Sequence, residues 1–340
     1  MKKNRIIIAL FATIIYVMFP LAAAWSETGS TLSNPVNLRL STSTMGGGWY
    51  TMGGALSTLL MKYMPKGSQV AMTPGPGTVG NPGVISKGEC ELAWAGDTIS
   101  KFAYDGVILY KEPMSNIRML VNGVGPTPLL VAMEKKVAEK EGVKYFDDIF
   151  TKKIPLTIVS GSRGSMDETF LKILLEEMGY KGYADLKKKT GISTYFYPKD
   201  QDRIEAFTAG RAQVFVDVCT LNHPTWTQLG SIKALFYLPI SEDLRNKLVE
   251  HYGFSKFTWP AGMYKGLPDL NSIQYATCLI CNENLPEEVA YEVVKIMTEN
   301  EQELKKLHNG FTTFDPEKSH VSPLKLHEGA ARYYKEVGRF

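Results

Sequence analysis

A short apolar run, a glycine-rich corner and a segment of helical periodicity follow one another three times along this chain. In the first unit Val36, Leu38 and Leu40 alternate with Asn37, Arg39 and Ser41, the period of a strand. Ser43-Thr44-Met45-Gly46-Gly47-Gly48-Trp49-Tyr50 makes the corner, and Met52, Ala55, Leu56, Leu59 and Leu60 repeat as one face of a helix. The second unit has a strand at 69–73, a Gly/Pro corner at 74–81 and a short helix around 81–86 that closes at Gly88. The third runs from a strand at 154–159 through Ser160-Gly161-Ser162-Arg163-Gly164-Ser165. Its helix carries Phe170, Leu171, Leu174, Leu175 and Met178, with Gly179 as a left-handed cap. A further strand at 91–95 ends at Gly96-Asp97-Thr98. Units of this order predict an α/β fold with a largely parallel sheet.

The middle of the chain breaks the pattern. Two apolar runs, 117–121 and 129–133, flank Asn122-Gly123-Val124-Gly125-Pro126-Thr127-Pro128, which reads as a crossing between lobes. Beyond it, strands are expected at 195–197, 212–219 and 276–280. Helices are expected at 202–209, from Pro286 to about Met297, and over 328–337. At 340 residues the chain is long enough for two domains of about 150 each. Its 44% hydrophobic content supports a real core.

The amino terminus reads as an export signal over residues 1–26. Lys2, Lys3 and Arg5 precede an uncharged run from Ile6 to Ala24 that ends in small residues. Cleavage after Ala24 and cleavage after Ser26 both fit, and an uncleaved anchor is the competing reading. Removing those three cations from 38 leaves 35 basic residues against 35 acidic ones, so the mature chain is neutral. That balance gives no support to nucleic-acid binding, which needs a basic patch. Export argues against ATP-driven and most nicotinamide chemistry and points to the periplasm.

The three corners share one physical capacity. Glycine lets backbone N–H groups approach a ligand closely, and the helix that follows adds unsatisfied donors and a partial positive charge. Such corners suit carboxylate, phosphate or sulfonate groups. Gly75-Pro76-Gly77-Thr78-Val79-Gly80 spells a dinucleotide fingerprint, but its prolines and short helix argue against that use. No phosphate-binding loop and no nucleophile elbow is present in the sequence.

Arg163 is the cation within these corners and reads either as a carboxylate partner or as a solvent-facing loop residue. Asp97 and Asp217 lie at or near strand ends and read either as ligand contacts or as satisfied structural carboxylates. Cys278-x-x-Cys281 has metal or redox spacing, but within a strand the two residues face opposite ways. The histidines form no metal motif, so neither a metal nor another cofactor is expected.

Several stretches together resemble the TAXI solute receptors, the extracytoplasmic components of TRAP transporters. They include Gly47-Gly48-Trp49-Tyr50, Thr78-Val79-Gly80-Asn81, Ser86-Lys87-Gly88-Glu89-Cys90-Glu91-Leu92-Ala93 and Leu285-Pro286-Glu287-Glu288. The most specific is the closing motif Leu326-His327-Glu328-Gly329-Ala330-Ala331-Arg332-Tyr333-Tyr334. The chain departs from the family pattern at Arg163, where a proline is usual, and at Met166 and Asp167, where a small Gly-Thr pair is usual.

The resemblance implies a two-lobed fold of the periplasmic-binding-protein type II kind, with a ligand cleft between α/β lobes. The expected lobes are 36–125 plus about 241–340, and about 126–240. The implied function is capture of a small organic anion (an amino acid, 2-oxo acid or dicarboxylate) and delivery to the membrane subunits of an ion-gradient-driven TRAP transporter. A monomer without enzymatic activity is expected. A ligand-sensing adaptor for a membrane kinase is the alternative, and an exported enzyme on the same fold a weaker one. The candidate ligand residues are Thr44, Gly47, Gly48, Trp49, Tyr50, Thr78, Asn81, Asp97, Gly161, Ser162, Arg163, Gly164, Ser165 and Asp217.

Overall fold

A computed structural model describes residues 30–340, so the expected export signal lies outside the described residues. Ten strands form the sheet: β1 (Asn37–Ser41), β2 (Gln69–Thr73), β3 (Leu92–Gly96), β4 (Ile117–Glu134), β5 (Thr157–Ser160), β6 (Ser193–Phe196), β7 (Val214–Val218), β8 (Leu235–Tyr237), β9 (Ser255–Trp259) and β10 (Leu270–Asn282). Their order is β2-β1-β3-β10-β4-β7-β5-β6, with β8 added to β4 and β9 to β10. β1 pairs in parallel with β2 and β3, and β5 in parallel with β6 and β7. Two parallel groups thus flank an antiparallel pair, the mixed α/β architecture of a two-lobed fold.

β4 is the element that sequence divided wrongly. The two apolar runs and the Gly/Pro segment between them form one strand of 18 residues. Gly125 to Pro128 pair with Thr277 to Gln274 of β10, while Leu129 to Met133 pair with β7. The glycines and prolines are absorbed as irregularity rather than as a loop. Gly123 has φ +65°, and the β4–β10 register shifts around Leu279.

One apolar core runs beneath both groups of strands. Leu56, Leu59 and Trp94 belong to it at one end, and Phe170, Leu174 and Phe254 at the other. Two smaller clusters cover the remaining faces, one built on Phe215, Trp226 and Trp259, the other on Ala93, Met119 and Ile280. Cys278 packs in the latter and Cys281 in the main core, so the two thiols face opposite ways. All four cysteines are free and buried. Among the described residues no helix is long and apolar enough to cross a membrane, and no cluster of His, Cys, Asp and Glu is arranged to hold a metal.

Candidate functional site

The three corners meet. The helices that follow them span Gly48–Tyr63, Gly77–Ser86 and Met166–Glu177. The second begins four residues earlier than the sequence reading placed it, inside the glycine-rich corner itself. The first residues of all three line one cavity of about 420 Å³. That size falls within the usual range for small-molecule sites.

Each helix opens with N–H donors that its own backbone does not use. Gly47 and Pro76 precede two of these helices and supply no side-chain cap. No acceptor among the described residues faces the N–H groups of Gly48, Trp49, Thr78 or Val79. The third helix is capped: Ser165 Oγ accepts from the Glu168 N–H at 3.4 Å. Buried Glu168 reaches back to the Gly164 N–H at 2.6 Å and accepts from Arg163 at 3.0 Å. Ser165 and Glu168 therefore cap this helix much as a capping box does, with Glu168 bonding the residue before the N-cap and so fixing the corner.

Arg163 is 67% exposed, rests on Glu168 and lies 4.6 Å over the Phe196 ring. It lines the cavity with Ser162, Gly164 and Ser165 from its own corner, and with Thr44, Gly47, Gly48, Trp49 and Thr78 from the other two. Trp49 is buried and its indole N–H donates to Thr277 Oγ1 at 3.2 Å, so it braces the helix while presenting an edge to the cavity. Thr78 Oγ1 lies 3.1 Å from the Tyr275 hydroxyl.

Four candidates fall outside the cavity lining. Asn81 is buried and its amide nitrogen donates to Thr42 O at 2.8 Å and Trp94 O at 2.6 Å, tying β1 to β3. Asp97 Oδ1 accepts from the Thr98 N–H at 2.6 Å and the Ala276 N–H at 3.0 Å, locking β3 to β10. Burial pushes its carboxyl above the ordinary carboxylate value despite these bonds. Tyr50 is half-buried on the first helix. Gly161 sits just behind the lining, where a Cβ would collide with the Asp167 carboxylate.

Asp217 does line the cavity, but as a satisfied structural carboxylate. It accepts from Arg203 Nη1 at 2.9 Å through Oδ1 and from the Trp226 indole at 3.0 Å through Oδ2. Burial is the largest influence and pushes its carboxyl up, yet the Arg203 charge and the hydrogen bonds it accepts together hold it below the ordinary value.

Sequence reasoning missed Arg203, although its short helix (Asp200–Thr208) was anticipated. Arg203 is 4% exposed and bonds Asp200 as well as Asp217. Its guanidinium lies 3.7 Å from Asp167 Oδ2. Asp167 had shown only as a departure from the family pattern. Burial first, and the Asp217 charge second, push its carboxyl up to about 7. Buried polar atoms without a partner among the described residues include Ser43 Oγ, Arg203 Nε and His223 Nδ1, and all three residues line this cavity.

The first corner also comes close to the chain that follows β7. An added Cβ on Gly48 would stand 3.3 Å from Thr220 Oγ1, beyond the end of β7.

A cavity at the carboxyl ends of strands, between two parallel strand groups, is the architecture of two-lobed solute-binding proteins. Solved structures similar in fold include two of this kind. One is a TctC solute binding protein from Polaromonas, at TM-score 0.50 and 13% identity, covering 92% of this chain and 100% of that one. The other is MatC from Rhodopseudomonas palustris with bound malate, at TM-score 0.52 and 13% identity, covering 90% and 98%. The chain belongs to the NMT1-like family, whose family model matches residues 40–338.

Proposed function

We propose that this protein is an extracytoplasmic solute receptor that captures a small carboxylate in the cleft and delivers it to a membrane transporter of TRAP type. One observation carries the reading: three helix N-termini line a single cavity of ligand size. Each contributes a partial positive charge, the two uncapped ones add open N–H donors, and together they favour a carboxylate over a neutral solute. The Gly48 and Thr78 N-termini receive the anion, and Arg163 approaches from the opposing corner. Closure by hinge motion over the solute excludes water and strengthens these charge-assisted bonds. We place the lobe divide where β4 passes from β10 to β7, near residues 128–129. Residues 1–26 supply export, and the resemblance to TAXI receptors supports the TRAP partner. The reading assigns binding and release with no chemistry.

A thermal-shift screen of the purified protein tests this. The panel holds dicarboxylates including malate, 2-oxo acids, amino acids and sulfonates. A concentration-dependent rise in melting temperature with a carboxylate class supports the reading through linkage. Silence across the panel, after unfolding and refolding to strip any carried solute, overturns it.

A further inference from the structure

We propose that the solute carries a protonated amine as well as a carboxylate, and that Asp167 receives the amine. This rests on the receptor reading above and selects one class within it.

The cavity is not uniformly suited to anions. Three carboxylates line it, and two of them accept a hydrogen bond on each oxygen. Asp217 uses one oxygen on Arg203 and the other on Trp226. Asp200 uses one on Arg203 and the other on Thr225. Arg203 gives one N–H from each Nη group to these two carboxylates, while its Nε, deeply buried, has no partner among the described residues. Asp167 differs. Its Oδ1 accepts the Val218 N–H at 2.6 Å. Its Oδ2 has no hydrogen bond among the described residues, because Arg203 Nη1, at 3.7 Å, is too distant to donate.

Three carboxylates surround the single Arg203 charge, so the cluster carries no surplus positive charge for the solute, and Asp167 is left with an open acceptor oxygen at the cavity wall. A second carboxylate on the solute, directed to this wall, meets like charge. An ammonium group meets an unspent acceptor and gains a charge-assisted bond. Gly161 is part of the same arrangement. It is the absence of a Cβ there, not an unusual backbone angle, that makes room for the Asp167 carboxylate. Asp167 stands on the lobe opposite the Gly48 and Thr78 N-termini, so the two ends of a zwitterion bridge the lobes and couple binding to closure.

The test is calorimetric titration of the intact protein with matched probe pairs: L-glutamate against glutarate and 2-oxoglutarate, L-aspartate against succinate and malate, L-leucine against 4-methyl-2-oxopentanoate, and 4-aminobutyrate against butyrate. The proposal expects the best amino member to bind at least tenfold more tightly than its deaminated partner. Asp167→Asn, which keeps the Oδ1 acceptor for Val218, is expected to erase that preference at an affinity loss of tenfold or more. Its melting curve establishes that the variant folds, and Asp167→Ser serves if it does not. Deaminated acids binding as tightly as their amino partners overturn the proposal and leave the receptor reading standing. An amino preference that survives Asp167→Asn overturns the role of Asp167. No binding by any probe overturns both readings.

Discussion

Arg203 Nη1 donates to Asp217 Oδ1 at 2.9 Å, and both residues are almost fully buried. The pair ties the helix Asp200–Thr208 to the end of β7, and Asp200 and Asp167 flank the same guanidinium. Arg203→Met is expected to destabilise the protein by about 3–5 kcal/mol, because it strands Asp217 without its cation. Equilibrium denaturation in urea measures this. A loss below about 1 kcal/mol shows the pair to be dispensable.

Asp167 gives the site a pH dependence of known sign. Its folded-state value of about 7 lies above the ordinary 3.8, so the folded protein holds that proton longer than the unfolded chain. Raising pH from about 4 to about 7 therefore costs folded-state stability at this residue. Other shifted groups, such as His308 and His327, add their own slopes, so the comparison with Asp167→Asn is the informative one. The stability of the variant relative to wild type is expected to rise across this window, by at most about 1.4 kcal/mol per pH unit, and to level off above it. Parallel stability–pH curves contradict the assignment.

Arg163 separates binding from folding. Its guanidinium is 67% exposed and its ion pair with Glu168 sits at the surface end of the corner. Arg163→Ala is expected to weaken carboxylate binding about tenfold, or about 1.4 kcal/mol. The stability change is expected to stay within about 1 kcal/mol, because Arg163 is exposed and Lys172, 3.3 Å from Glu168, keeps that buried carboxylate paired. Titration and denaturation of the same variant check both. Unchanged affinity removes Arg163 from the anion site.

Gly48 lies close to Thr220, across the proposed lobe divide. Its backbone angle needs no glycine, but a side chain there presses on Thr220. Gly48→Val is expected to hold the cleft open. Small-angle scattering with saturating solute is expected to show a larger radius of gyration for the variant than for wild type, with solute affinity reduced at least tenfold. Identical scattering and affinity show that closure tolerates the side chain.

The repeating units of this protein are legible in its amino-acid order alone. Strand alternation, helical periodicity and glycine corners are local signals, each contained within a dozen or so residues. They sufficed to predict the α/β class, the three corners that later met at one cavity, and the opposed faces of Cys278 and Cys281. Tertiary structure decided what joins those units. The prolines of β4 predict a break when read alone, but pairing with Gln274–Thr277 carries the strand through them. Asn81 and Asp97 sit at corners that suit ligands, yet they spend their polar atoms on Trp94, Ala276 and other backbone groups. Asp217 looks free until Arg203 and Trp226 are seen beside it. The open oxygen of Asp167 is defined by a bond to Val218, 51 residues away along the chain. Such partners leave no periodic trace, because a hydrogen bond depends on distance in space and not on spacing along the chain.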